Sequence, residues 1–262
     1  MVSNAGPSTS TCQVSVPRQR TEWLDAVRDA ADGLAAAEWA TTRLIEAVAG
    51  MDDAAARGTS ALPDWTRGHV VTHLARNADA LVNLLTWART GVEHPMYASG
   101  ADRDQDIATG APRSAWLLRE DLVAACGRFA ASATGLGEAA WQAEVTHRQN
   151  RTIRAHLVPW IRTLEVWVHL IDLDLGVGFD EIPEDTAERL IDVLVSYHAG
   201  RPDTPALRLE ADVADGRRAV WQLAGVGEPR LVSGPAAAVM AWMTGRGTNG
   251  LEGDPPLLPA VL

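Results

Sequence analysis

Two residues with metal-binding side chains stand four positions apart in the segment Glu165-Val-Trp-Val-His169. In a helix, residues at i and i+4 lie one above the other on one face, so this carboxylate and this imidazole could reach one ion. The neighbouring residues are apolar, and burying an unpaired glutamate and histidine among them would be costly. A metal ion would offset that cost. The alternative is a surface pair beside an apolar face, which the spacing alone favours because such pairs are common by chance.

A second pair, His69 and His73, has the same spacing earlier in the chain. The ordinary interpretation is one core histidine and one surface histidine. Two helices with inward-facing donors in adjacent bundle positions nevertheless make a shared site more plausible than either pair alone. A set of two histidines and one glutamate leaves coordination positions open, which is typical of a catalytic rather than a structural zinc ion.

The other histidines are weaker candidates. His94 and His147 stand near expected loops and are predicted to be solvated. His156 is nine residues before Glu165, which turns it about half the helix circumference away from the ligand face. His198 ends a helical pattern, where a cation favours the helix dipole.

Four long helical patterns fill the first two thirds of the chain, at about 21–51, 64–89, 113–136 and 152–175. Four successive amphipathic helices of this length predict a four-helix bundle over residues 21–176. The segment 94–112 between the second and third helices is polar and interrupted by Gly and Pro, which predicts a long loop.

The last third of the chain has a different pattern. A helix is expected at 183–198, strands at 207–210, 219–223 and 229–232, and a short helix at 235–243. We therefore predict a small C-terminal α+β domain over residues 183–262, joined to the bundle by a linker near 176–183. The fold class is α+β, and residues 1–20 are expected to be a disordered N-terminal extension.

Charge and composition exclude several classes of function. The formal net charge of −11 disfavours binding to nucleic acids or to anionic membrane surfaces. All 23 basic residues are arginines, so Schiff-base chemistry on a lysine, as with pyridoxal phosphate, is excluded. The two cysteines, Cys12 and Cys126, do not make a disulfide framework, and neither a transmembrane segment nor a signal peptide is predicted. These observations favour a cytoplasmic protein.

Three segments together resemble the mycothiol-dependent maleylpyruvate isomerase family, a branch of the DinB-like metal-binding bundles. They are the stretch from Asp64 to Leu81 containing Arg-Gly-His-Val-Val-Thr-His73, the stretch from Leu85 to Gly91, and Arg162-Thr-Leu-Glu-Val-Trp-Val-His169-Leu-Ile-Asp-Leu. The resemblance covers residues 21 to about 250.

The resemblance implies that His73, Glu165 and His169 are the metal ligands, and it gives His69 no ligand role. It also implies two functional arginines. One falls on Arg103 in the segment 101–107, and the other on Arg246 in the segment Trp-Met-Thr-Gly-Arg246-Gly. Taken singly, either arginine would be interpreted as a solvated surface charge.

The family uses the low-molecular-weight thiol mycothiol as a cosubstrate, together with a divalent metal that we expect to be zinc. The implied activity is the isomerisation of maleylpyruvate to fumarylpyruvate, with the arginines binding the anionic substrate. Two alternatives stay open at this point. One is a mycothiol S-transferase acting on an electrophile or a biosynthetic intermediate, and the other is a non-catalytic metal-binding regulatory module.

Overall fold

The computed structural model describes residues 18–148 and 151–261. Over these ranges a helical bundle is followed by a part built on a sheet, which is the predicted α+β fold class. The α-helices are α1 (Arg18–Ala49), α2 (Asp53–Arg57), α3 (Arg67–Thr90), α4 (Gly100–Gly110), α5 (Ala115–Thr134), α6 (Val158–Asp172), α7 (Glu184–His198) and α8 (Ala236–Met243). The strands are β1 (Glu144–His147), β2 (Arg151–Arg154), β3 (Pro205–Asp212), β4 (Arg218–Leu223), β5 (Val226–Pro235) and β6 (Glu252–Gly253). Cys12 and most of the predicted N-terminal extension lie outside the described residues.

Helices α1, α3, α5 and α6 form the four-helix bundle, in which α1 and α3 each pack against both α5 and α6. The inner face of α1 consists mainly of alanines, among them Ala30, Ala37 and Ala40. A Cβ atom at Gly33 would lie 3.0 Å from side-chain atoms of Pro159 and Trp160. Small residues on α1 therefore let this helix approach α6 closely.

Helix α6 is enclosed on all sides, since every residue from Val158 to Leu170 is buried. A helix that is buried around its whole circumference occupies a core position. The polar side chains of Glu165 and His169 on this helix are therefore held inside the bundle rather than at its surface.

The predicted start of this helix at residue 152 was wrong. Residues Arg151–Arg154 form strand β2, which pairs antiparallel with β1 so that Val145 faces Ile153. Both of these side chains are buried, so they give the segment a strand-like alternation that the helical pattern obscured. Pro159 lies in the first turn of α6, where its missing N–H costs no helical hydrogen bond.

Helix α3 has well-defined ends. Thr66 caps its N-terminus by accepting a hydrogen bond from the backbone N–H of His69, and the ring of His69 accepts in return from the backbone N–H of Thr66. Gly91 ends the helix in the left-handed conformation, with φ of 70°. These caps fix the helix that carries His73.

The long loop predicted at 94–112 was also wrong, because Gly100–Gly110 form α4. Ser99 caps this helix by accepting from the backbone N–H of Asp102. Ile107 is its only buried large apolar side chain, so the segment lacks the repeated apolar positions from which a helix is recognised. Helix α4 packs against α3 and places Arg103 beside the bundle.

The C-terminal part contains a four-stranded sheet in the order β4-β3-β5-β6. Strand β3 pairs antiparallel with β4 and parallel with β5, and β5 pairs antiparallel with β6. Helices α7 and α8 pack against each other and against the sheet, and α7 also contacts α6. The three predicted strands are present and longer than expected. No described helix combines the length and apolarity needed to cross a membrane.

Candidate metal centre

His73, Glu165 and His169 converge between α3 and α6. One potential ligand atom from each of the three side chains lies within 4.8 Å of the other two. The distance from His73 Nε2 to Glu165 Oε2 is 3.1 Å, and from His169 Nε2 to the same oxygen it is 3.4 Å. All three side chains are buried. Two imidazoles and one carboxylate, converging inside an apolar bundle, are a donor set that fits a divalent metal such as zinc.

Burial and mutual contact shift the pKa of each of these groups. Burial lowers the pKa of His73 to about 4, so this imidazole is neutral at pH 7, as a metal ligand must be. Burial alone would raise the pKa of Glu165, but hydrogen bonds from His169 and His73 outweigh it and hold the pKa well below its usual range. Burial alone would lower the pKa of His169, but the carboxylates of Asp172 and Glu165 raise it. The cluster thus holds an ionised carboxylate between two imidazoles.

A second carboxylate, that of Asp172, orients the ring of His169. The distance from His169 Nδ1 to Asp172 Oδ2 is 2.8 Å, so Nδ1 donates to this carboxylate while Nε2 is directed at Glu165. Such a carboxylate–histidine contact fixes the ring orientation of a metal ligand and raises its basicity. Asp172 is itself held by Arg246, whose Nε and NH2 groups lie 3.1 and 2.7 Å from its two carboxylate oxygens.

Arg103 lies beside the other imidazole. One of its terminal nitrogens is 3.3 Å from His73 Nδ1, and the other is 2.7 Å from Asp104 Oδ1. The guanidinium also lies 6.0 Å from the ring centre of Tyr97, a phenol whose pKa burial raises to about 12. Arg103 and Tyr97 line a cavity of about 540 Å³. The structure therefore brings Arg103 to the cluster directly and Arg246 through Asp172.

His69 does not belong to the cluster. Its ring caps α3 and lies 6.0 Å from the ring of Trp65. His156 also has a structural contact, with Nδ1 2.7 Å from Asp29 Oδ2. His94 is partly exposed and His198 is buried, and neither joins the group of ligands found among the described residues.

The prediction that His147 is solvated was wrong. This residue is buried near the end of β1 and shares a cavity of about 240 Å³ with Glu165 and Tyr197. Burial lowers the pKa of His147 to about 4. The alternation of Val145 and His147 on one face of a short strand was the signal in the sequence, but it was hidden by the assignment of this segment to a loop. His147 and Tyr197 are thus site residues that sequence reasoning missed.

Comparison with known proteins gives the family of the chain. The model of the family described as mycothiol maleylpyruvate isomerase N-terminal domain matches residues 37–174. A crystal structure of the mycothiol-dependent maleylpyruvate isomerase is 30% identical, with a TM-score of 0.76, over 88% of this chain and 97% of that chain. A histidine-to-alanine mutant of the mycothiol-dependent maleylpyruvate isomerase is 31% identical, with a TM-score of 0.75 and the same coverage. No curated protein matches the chain significantly. The chain belongs to the mycothiol maleylpyruvate isomerase family.

Proposed function

We propose that this protein converts maleylpyruvate to fumarylpyruvate in a reaction that needs mycothiol and a divalent metal. The observation that carries the proposal is the buried convergence of His73, Glu165 and His169 beside a cavity that Arg103 lines. Membership of the isomerase family and the two similar crystal structures support the same activity.

His73, Glu165 and His169 would hold the metal ion, and zinc suits this set of ligands. When bound, such an ion lowers the pKa of a coordinated thiol, so that the thiolate is available at neutral pH. Three protein ligands leave room for an additional ligand from the cosubstrate. Asp172 would keep the ring of His169 in the orientation that presents Nε2 to the ion.

The chemistry requires no net consumption of the thiol. The thiolate adds to one carbon of the cis double bond, and the electron pair moves onto the conjugated carbonyl as an enolate. The former double bond is now single and rotates. The enolate then re-forms the double bond in the trans geometry and expels the thiolate.

The two arginines would have different roles in this reaction. Arg103, beside His73 and facing the larger cavity, would bind a substrate carboxylate or the developing enolate oxygen. Arg246 is already paired with Asp172 at both carboxylate oxygens. We therefore assign it a positioning role, through Asp172, on the metal ligand His169.

The test is to follow maleylpyruvate by absorbance with zinc-loaded protein, with and without mycothiol, while titrating free thiol. An isomerase needs the thiol but leaves its concentration unchanged, whereas an S-transferase consumes one thiol for each electrophile. We expect thiol-dependent loss of maleylpyruvate at constant thiol concentration. Stoichiometric loss of thiol would favour the S-transferase, and no reaction with any thiol present would contradict both.

A further inference from the structure

A second cavity opens on Glu165 from the side of the β1–β2 hairpin. It has a volume of about 240 Å³ and is lined in part by His147, Arg148, Arg151 and Tyr197. His147 and Arg148 also line the larger cavity that contains Arg103. Two cavities with a shared wall therefore lie beside the candidate metal centre. Arg103 lines only the larger cavity, and Arg151 lines only the smaller one.

The guanidinium of Arg151 is fixed in position, but none of its contacts with the described residues is with a negatively charged group. It stacks over the ring of Tyr197, 4.4 Å from the ring centre, and its NH2 group donates to Ser196 Oγ at 3.0 Å. Its NH1 group is buried and has no hydrogen-bond partner among the described side chains. No carboxylate in the described part of the chain forms an ion pair with this arginine. Burial also lowers the pKa of Arg151, as expected for a cation that lacks a counter-charge.

Arg148, which lines both cavities, is exposed, whereas two other arginines near this site are already paired. Arg201 donates from NH1 to the backbone oxygen of Ala260, and its Nε lies 3.5 Å from Asp203 Oδ1. Arg246 is paired with Asp172. Arg151 is therefore a preoriented cation, facing the cavity that Glu165 lines, in a chain whose formal net charge is −11. A planar guanidinium with free N–H groups is suited to a carboxylate.

We propose that Arg151 binds one terminal carboxylate of the substrate, while Arg103 binds the other end. The inference rests on the proposed function, because maleylpyruvate is a seven-carbon chain with a carboxylate at each end. Two arginines, one in each of the two cavities beside the candidate metal centre, would hold the two ends of such a dianion. Arg151 is then a residue that determines specificity for a dicarboxylate over a monocarboxylate.

The test measures direct binding by calorimetry on the zinc-loaded full chain, so it does not depend on turnover. The probe is heptanedioate, a saturated dicarboxylate with the carbon count of maleylpyruvate, and heptanoate is its monocarboxylate counterpart. In the wild-type protein we expect heptanedioate to bind at least about tenfold more tightly than heptanoate, because a hydrogen-bonded charge pair is lost with the second carboxylate.

The variant Arg151→Gln should bind heptanedioate at least about tenfold more weakly than wild type and should lose most of the preference over heptanoate. Its zinc content and thermal unfolding should match those of the wild type. Arg154→Gln is the matched control, since Arg154 lies on the same hairpin, is exposed and donates to the backbone oxygen of Gln142. If Arg151→Gln does not fold, Arg151→Lys replaces it, and we expect a smaller but measurable loss of the same preference.

Unchanged heptanedioate binding in the folded Arg151 variant would overturn the proposal, and so would a wild-type protein that does not bind heptanedioate at millimolar concentration. Failure of the proposed function would look different. In that case maleylpyruvate would not be isomerised, yet the difference in heptanedioate binding between wild type and Arg151→Gln would persist. If the proposed function and the role of Arg151 are both correct, Arg151→Gln should raise KM for maleylpyruvate much more than it lowers kcat.

Discussion

Arg246 and Asp172 form a two-point ion pair that joins the C-terminal part of the chain to the helix carrying two of the candidate metal ligands. The Nε and NH2 groups of Arg246 lie 3.1 and 2.7 Å from the two oxygens of Asp172. The same carboxylate is 2.8 Å from His169 Nδ1. Arg246 is far from the bundle in the sequence, yet it is linked through Asp172 alone to the candidate metal ligand His169.

We predict that Arg246→Ala weakens zinc binding by about 10–100-fold, because the change leaves Asp172 without its cation and loosens the orientation of His169. Zinc affinity would be measured by competition with a chromophoric chelator. Arg217→Ala is the control, since Arg217 forms an exposed ion pair with Glu188 in the same part of the chain. Zinc affinity equal to wild type in Arg246→Ala would contradict a role through Asp172.

Arg103→Gln should leave zinc binding intact and lower kcat/KM for maleylpyruvate by about 100-fold or more, as when one donor to a developing oxyanion is removed. The reason is that Arg103 lines the larger cavity and contacts His73 through Nδ1. Steady-state rates with saturating mycothiol would measure the effect. Arg119→Gln, at a partly exposed position on α5, should behave as wild type. Near-normal turnover in Arg103→Gln would remove this arginine from the mechanism.

The reactive thiol is predicted to come from the cosubstrate and not from the protein. Cys126 is buried in the bundle, where its sulfur accepts a hydrogen bond from Arg162 NH2 at 3.3 Å. Cys12 lies outside the described residues. The double variant Cys12→Ser, Cys126→Ser should retain turnover within about twofold of wild type, because surface or packing changes away from a site are usually small. A folded, zinc-loaded double variant without activity would show that a protein thiol takes part.

Acid should weaken the packing of α1 against its neighbours through Asp29. Burial alone would raise the pKa of this carboxyl, but hydrogen bonds from His156 and Arg189 outweigh it, and the pKa is lowered from 3.8. The carboxyl of Asp29 therefore binds a proton more readily in the unfolded state than in the folded state. Its ionised form stabilises the fold above the pKa of the unfolded state, and this contribution is lost as the pH falls through the pKa of the folded state.

The variant Asp29→Asn should therefore lose about 1–3 kcal/mol of unfolding free energy at pH 7, and the difference from wild type should shrink as the pH falls below 3.8. Urea unfolding of metal-free protein at a series of pH values would measure this. Asp32→Asn on the exposed face of α1 is the control. If the difference in unfolding free energy between Asp29→Asn and wild type grew as the pH fell, this dependence on pH would be contradicted.

The bundle was predictable from sequence because its helices are long and repeat apolar residues at helical spacing. The three candidate ligands could be named for the same reason, since Glu165 and His169 share a helix face and the surrounding segments resemble a known family. The spacing alone did not choose between His69 and His73. That choice depends on the cap of α3, where the ring of His69 accepts from the backbone N–H of Thr66.

The rest of the site could not be predicted because it is made by short elements and by contacts between distant segments. Helix α4 carries Arg103 but buries few apolar side chains, and the hairpin that carries His147 and Arg151 has only four residues in each strand. Asp172 and Arg246 are 74 residues apart in sequence. No local pattern shows that two such residues meet, since their contact depends on how the C-terminal part packs against the bundle.

The central claim is that one metal ion, held by His73, Glu165 and His169, supports isomerisation. It is tested most directly by stripping the protein of metal and adding zinc back in steps while measuring mycothiol-dependent turnover of maleylpyruvate. We expect activity to rise linearly and to level off at one zinc ion per chain, and His169→Ala to show no activity at any zinc concentration. Full turnover by the metal-free protein, or normal zinc-dependent activity in His169→Ala, would contradict the account.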